Sequence, residues 1–316
     1  MLAFFALVCW LTTLTLGAMR LIKWWAWLAL KRHVPEIVLG LTLVTLGTTM
    51  PEFVVNISAV LGWAPDLAIG NIVWSNIVNI LLILSLAAVI RPLVLDGQLS
   101  TTDVLFCLLA PVLLWLVSAD SVFGEQQLSI ITRNDGIVLL LCFVGFVYHL
   151  YRSGQHEDAT DTVSSNESTV LLVVYCIAGV IWLVWGATLT LFGARTLATM
   201  WGIGEHIIWL TIIALWTSLP ELVTMIMAVI KRHGSLAIGN LLGSCVFNVF
   251  WTLWVSSLFH PLRVSLAERT DMLVSIFAMS LLVYSFFFSR SKTIWRRQGA
   301  LGLFFYVCYM VYTFVI

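Results

Sequence analysis

The sequence predicts an all-α membrane protein of ten transmembrane helices in two inverted five-helix repeats. Three observations carry that prediction. Of 316 residues, 61% are apolar and only 10% are charged, where a soluble domain has about 25% charged residues. Ten apolar runs are long enough to cross a bilayer as helices. One motif also occurs twice: Thr48-Thr49-Met50-Pro51-Glu52 returns as Thr217-Ser218-Leu219-Pro220-Glu221. Likewise Leu67-Ala68-Ile69-Gly70-Asn71, with Ser75 and Asn79, returns as Leu236-Ala237-Ile238-Gly239-Asn240, with Ser244 and Asn248. The offset is 169 residues throughout, and Pro92 and Pro261 obey it too.

The apolar runs fall at roughly 1–19, 36–61, 67–90, 102–118 and 134–151, then at roughly 169–191, 205–230, 235–259, 270–288 and 299–316. The apolar N-terminus lacks the basic region of a signal peptide and reads as the first span. Residues 152–168 form the one clearly hydrophilic stretch, a cytoplasmic linker between halves 1–151 and 169–316. Five spans per half is an odd number, so the second half enters the membrane in the opposite orientation. With the N-terminus outside, the inner loops hold twelve basic residues, Arg20, Lys23, Lys31, Arg32, Arg91, Arg152, Lys231, Arg232, Arg290, Lys292, Arg296 and Arg297. The outer loops hold four, Arg133, Arg195, Arg263 and Arg269. That bias places both termini on the extracytoplasmic side of the cell (inner) membrane.

Each motif copy puts a glutamate inside an apolar run, where a charge is expensive and usually functional. Thr48 and Glu52 are four residues apart and share a helix face, as do Ser75 and Asn79. Pro51 cannot donate an N–H, and its ring clashes with the carbonyl of Gly47. The helix should open there and free a carbonyl oxygen. A tight connection with Gly62 and Pro65 would return the chain as an antiparallel helix. The second copy repeats the scheme with Thr217 and Glu221, Pro220 acting on the carbonyl of Trp216, and Ser244 with Asn248. Carboxylates, amide oxygens, hydroxyls and carbonyls together suit a hard cation such as Ca²⁺, which takes 6–8 oxygen ligands. Two glutamates balance its charge. In an empty site they would repel, so the unloaded site should take up Na⁺ or H⁺, which favours exchange over one-way passage.

At these residues the chain resembles the Ca²⁺/cation antiporter superfamily, which includes the Na⁺/Ca²⁺ exchangers. The resemblance rests on two alpha-repeats, about 40–92 and 209–261. It implies ten helices in two inverted halves and Ca²⁺/Na⁺ antiport by alternating access. The central metal ligands would be Glu52, Asn79, Glu221 and Asn248. Thr48, Ser75, Thr217 and Ser244, with the carbonyls of Gly47 and Trp216, would serve flanking Na⁺ sites. Four positions depart from the family pattern. Asn248 stands where some members carry a third carboxylate, which leaves H⁺/Ca²⁺ exchange as an alternative. Trp74 and Trp216 replace glycines, and Cys245 replaces an asparagine. A second alternative follows, a non-transporting paralogue whose ion path is plugged by Trp74 and Trp216.

Other features read more plainly. Thr49 and Ser218 lie off the main stripe and read as structural. Gly70 and Gly239 fit close packing, and Asn71 and Asn240 fit helix stapling. His33, His149, His156, His206, His233 and His260 lie at span ends or in loops, where solvated or interfacial roles suffice. Glu157, Asp158, Asp161 and Glu167 lack the spacing of a Ca²⁺-binding loop. The six cysteines are dispersed, so neither zinc nor a disulfide framework is expected. No phosphate-binding loop is present, so the sequence calls for no nucleotide, no nucleic acid, no cofactor and no enzyme activity. Its partners are the transported ions and the lipid bilayer.

Overall fold

This is a computed structural model, and it describes residues 40–61, 66–95, 99–119, 129–153, 214–288 and 292–315, with Val38, Val174, Ile177, Ala178 and Ile181. The span expected at 1–19, nearly all of that at 169–191 and most of the linker at 152–168 lie outside the described residues.

In the first half a π-helical turn, Gly40–Val44, leads into α1 (Thr45–Thr48) and α2 (Met50–Leu61). α3 (Asp66–Ile77) runs through a second π-helical turn, Val78–Leu84, into α4 (Ser85–Ile90). Then come β1 (Leu93–Val94), α5 (Thr101–Val117), β2 (Ser129–Ile131) and α6 (Arg133–Ser153). The second half holds α7 (Ala214–Thr217), α8 (Leu219–Ile230) and α9 (Gly234–Phe247). A third π-helical turn, Asn248–Thr252, joins α9 to α10 (Leu253–Phe259). β3 (Leu262–Val264), α11 (Leu266–Phe288), β4 (Thr293–Ile294) and α12 (Arg296–Val315) complete the chain.

The helix breaks fall where the prolines require them. Thr49, two residues before Pro51, has φ −84° and ψ −2°. Ser218, two residues before Pro220, has φ −83° and ψ 5°. The same chemistry thus gives the same local geometry in both copies.

Four helices begin on one device, a polar side chain that meets the backbone three residues away. Before α5, Asp103 Oδ2 accepts the Ser100 N–H at 2.8 Å, and Ser100 Oγ accepts the Asp103 N–H at 3.1 Å. Before α11, Glu268 Oε2 accepts the Ser265 N–H at 2.6 Å, and Ser265 Oγ accepts the Glu268 N–H at 3.2 Å. Asp135 accepts the Thr132 N–H ahead of α6, and Gln298 accepts the Trp295 N–H ahead of α12. These boxes start α11 at Leu266 rather than at 270, and α12 at Arg296 rather than at 299.

Two short antiparallel ribbons tie the halves of the sequence together. β1 pairs with β4, Leu93 opposite Ile294, and β2 pairs with β3, Ser129 opposite Val264. Each ribbon takes the strand after the Pro92 or Pro261 position from one half. Its partner precedes the last long helix of the other half.

The described residues group into two compact units, 1–51 with 147–244 and 52–146 with 245–316, and each draws on both halves. Within the second unit, α11 packs on α5 and α3, while α12 packs on α4 and the π-helical turn before it. The continuous apolar helices sort by depth. Ala68–Ile90 and Gly234–Phe259 are 83% and 94% buried, against 22% for Arg133–Ser153 and 39% for Leu266–Phe288. The open faces of the outer helices carry Leu141, Val144, Leu273 and Phe277, which suits contact with lipid. The motif-bearing helices are therefore the buried ones.

Candidate ion-binding site

In the unit formed by 1–51 and 147–244, Glu221 sits fully buried in the first turn of α8. Its Oε1 accepts hydrogen bonds from Thr49 Oγ1 at 3.2 Å and Ser244 Oγ at 3.1 Å. The two hydroxyls lie 2.9 Å apart. Glu221 Oε2 has no hydrogen-bond partner. An open carboxylate oxygen in a fully buried place is costly unless something else meets it.

Asn240 braces this arrangement. Its Oδ1 accepts from Thr48 Oγ1 at 3.0 Å, and its Nδ2 donates to Thr224 Oγ1 at 3.1 Å. Thr224 Oγ1 in turn donates to the Pro220 carbonyl at 2.7 Å. One carboxamide therefore links α1, α8 and α9. The stapling role expected of Asn240 is observed. The backbones approach closely enough that only glycine fits. A Cβ at Gly40 would meet the Leu236 carbonyl oxygen at 2.5 Å and the Gly239 Cα at 3.1 Å, and one at Gly243 would collide with Thr45 Oγ1. Small residues let membrane helices pack this way.

In the unit formed by 52–146 and 245–316, Glu52, Ser75, Asn79 and Asn248 are all fully buried. The amide nitrogens are committed to protein acceptors. Asn248 Nδ2 donates to Asn76 Oδ1 at 3.3 Å, and Asn76 Nδ2 donates to the Cys245 carbonyl at 3.2 Å. Asn79 Nδ2 lies 4.0 Å from Cys245 Sγ, a long sulfur hydrogen bond. The oxygens remain open: Ser75 Oγ, Asn79 Oδ1 and Asn248 Oδ1 have no partner. Buried oxygens that no protein donor meets are the kind of ligand a hard cation takes. Each asparagine also lies on a π-helical turn, Val78–Leu84 or Asn248–Thr252, a local unwinding frequent at functional sites.

Placed residue by residue, the expected ligands divide. Glu52, Asn79, Asn248 and Ser75 belong to one unit, and Glu221, Ser244 and Thr48 to the other. Ser244 is bonded to Glu221, as expected of a hydroxyl beside the carboxylate. Thr217 is buried, and the Trp216 side chain lies outside the described residues. Thr49, read from sequence as structural, reaches the carboxylate, because the break before Pro51 turns it off the regular helical face. Sequence reasoning missed Asn56, Thr252 and Ser256. All three are fully buried, and Asn56 Oδ1, Thr252 Oγ1 and Ser256 Oγ have no partner. They follow Glu52 and Asn248 at four-residue steps, a signal visible in the sequence. The repeat hid them, since their counterparts are Met225, Ile83 and Ala87. Among the described residues no group of three His, Cys, Asp or Glu is gathered that could hold a metal ion.

Comparison with known proteins gives the family. The family model described as sodium/calcium exchanger protein matches residues 2–152 and 171–315. The chain belongs to the sodium/calcium exchanger family. Members are membrane cation antiporters rather than enzymes. Among relatives, the sodium/calcium exchanger MaX1 of Methanosarcina acetivorans is 29% identical over 99% of this chain and 99% of its own length. The inner membrane protein YrbG of Escherichia coli K12 is 34% identical over 85% of this chain and 81% of its own. A solved structure of the sodium-calcium exchanger NCX_Mj, soaked with 10 mM Na⁺ and no Ca²⁺, superposes with TM-score 0.84 at 29% identity, covering 98% of each chain. The chain thus shares sequence with these relatives and the fold of NCX_Mj along nearly its whole length.

Proposed function

We propose that this exchanger moves Ca²⁺ out of the cell in return for Na⁺, by alternating access at one site near the bilayer midplane. Glu52 and Glu221 neutralise and ligate Ca²⁺, and Asn79 and Asn248 supply further oxygens. Thr48, Ser75, Thr217 and Ser244, with the carbonyls of Gly47 and Trp216, hold Na⁺ beside them, and Thr49 joins that set. Ten helices in two inverted halves, with both termini extracytoplasmic, put the motif copies at equal depth. The observation that carries this reading is the set of buried oxygens that no protein donor meets, Ser75 Oγ, Asn79 Oδ1, Asn248 Oδ1 and Glu221 Oε2. All lie in or beside a duplicated motif.

Exchange follows from charge. Two carboxylates without a cation make reorientation through a low-dielectric core costly. The site crosses loaded with either ion and stalls empty. Proton coupling is the second reading, and Asn248 favours it, because an amide there removes a carboxylate that would otherwise attract Na⁺. The plugged alternative finds no support in Trp74, whose indole N–H is directed at Asp271 on α11.

The test is radioactive Ca²⁺ uptake into proteoliposomes under imposed gradients. A Na⁺ gradient at constant pH should drive uptake. Uptake driven by a pH gradient alone transfers the coupling role to protons, and uptake driven by neither ends the exchanger reading.

A further inference from the structure

A further carboxylate in an apolar helix stands outside the ligand set. Asp271 lies in the second turn of α11, and each of its oxygens takes one donor. Trp74 Nε1 on α3 donates to Oδ2 at 3.1 Å, and the Tyr309 hydroxyl on α12 donates to Oδ1 at 2.7 Å. The two rings also touch, with centroids 5.1 Å apart. Trp74 and Tyr309 are buried, at 2% and 6% exposure. A carboxylate in an apolar helix is retained at a cost and asks for a function.

The duplication shows what is special here. Trp74 is the counterpart of Gly243. In the second copy that position is bare, and a Cβ would collide with Thr45 Oγ1 and come within 3.0 Å of the Leu41 backbone. In the first copy the same position carries the largest side chain available, anchored to two outer helices. Trp74 is adjacent in sequence to Ser75 and precedes Asn79 by five residues. Holding its indole fixes the rotation of α3 about its axis, and so the aim of Ser75 Oγ and Asn79 Oδ1.

We propose that Asp271 is a positioning residue for the ion-binding face of α3, acting through Trp74 with Tyr309 as the second donor. This rests on the reading of Ser75 and Asn79 as ligands. The carboxylate is specific to the task. It accepts both donors with charge assistance, whereas an amide would accept from Trp74 through a neutral oxygen and turn its N–H₂ to the Tyr309 hydroxyl as acceptor.

That chemistry defines the experiment. Ca²⁺ uptake is measured in proteoliposomes for the wild type, Asp271→Asn, Trp74→Phe, Tyr309→Phe and the Asp271→Asn/Tyr309→Phe double variant, with Glu52→Gln alongside. Asp271→Asn should raise the KM for Ca²⁺ about tenfold, the scale set by a buried charge-assisted hydrogen bond, with maximal rate changed less than about twofold. Trp74→Phe, which keeps the ring and removes the N–H, should do the same. Tyr309→Phe should stay near wild type. In the double variant the amide N–H₂ loses the Tyr309 oxygen as its acceptor, so KM should be no lower than in Asp271→Asn. An unchanged KM in both Asp271→Asn and Trp74→Phe overturns the positioning role. If Glu52→Gln abolishes uptake while those KM values stay put, positioning alone fails. If Glu52→Gln transports like the wild type, or the wild type carries no Ca²⁺, the ligand reading and the positioning role fall together.

Discussion

Glu52 and Glu221 occupy equivalent places in two copies of one motif, yet the serines that accompany them are used differently. Ser244 is committed, donating to Glu221 Oε1, while its counterpart Ser75 keeps a buried Oγ with no partner. The next position back repeats the contrast, with Gly243 bare against α1 and Trp74 tied to Asp271 and Tyr309. Duplication supplies two equal frameworks, and later substitution has divided the work between them. The second copy holds its carboxylate in a hydroxyl cradle. The first leaves its serine hydroxyl open and ties the neighbouring Trp74 to α11 and α12.

The largest effect should come from the residues on which the copies still agree. Glu52→Gln or Glu221→Gln should each lower Ca²⁺ transport at least about 100-fold, beyond what changes to the groups that orient metal ligands cause. Proteoliposome flux reads this, and a mild phenotype in only one of them would mean that the asymmetry extends to the carboxylates.

Next come the paired packing changes. Trp74→Ala should cost about 3–5 kcal/mol by emptying a buried aromatic site. Gly243→Ala should cost about 1–3 kcal/mol by forcing a methyl group into the Thr45 hydroxyl. Thermal unfolding of the detergent-purified protein ranks them, and a harmless Gly243→Ala would show that the α1 contact yields easily.

The serines give a finer contrast. Ser244→Ala removes a donor from a buried carboxylate and should destabilise by about 1–3 kcal/mol. Ser75→Ala removes a hydroxyl that has no partner, so stability should hold or rise while ion affinity falls. Equal stability losses would erase the difference between the copies. Smallest are the helix starts, where Ser100→Ala and Ser265→Ala should each cost about 1 kcal/mol.

Much of this was legible in the chain because duplication acts as an internal control. A glutamate in an apolar run is one oddity; two at a fixed offset, each after a proline, specify the helix breaks and mark the candidate ligands. The breaks at Thr49 and Ser218 follow directly from proline chemistry. Span edges were harder to read. Hydropathy placed the start of α11 after Glu268 and Arg269, treating those charges as loop, whereas Ser265 and Glu268 form the box that begins the helix. The π-helical turns at Asn79 and Asn248 have no local sequence signature. Requiring each candidate to appear twice hid the buried open oxygens of Asn56, Thr252 and Ser256, which occur once. The Trp74 partnership was invisible for a different reason, since it joins residues 197 positions apart through one hydrogen bond.

The account depends above all on the two glutamates binding the transported ions. Calorimetric titration of Ca²⁺ into the purified wild type and into the Glu52→Gln/Glu221→Gln double variant, with and without Na⁺, tests that directly. The wild type should bind Ca²⁺ and lose that binding as Na⁺ is added, and the double variant should show no binding heat. Equal Ca²⁺ binding by the two proteins would contradict the account.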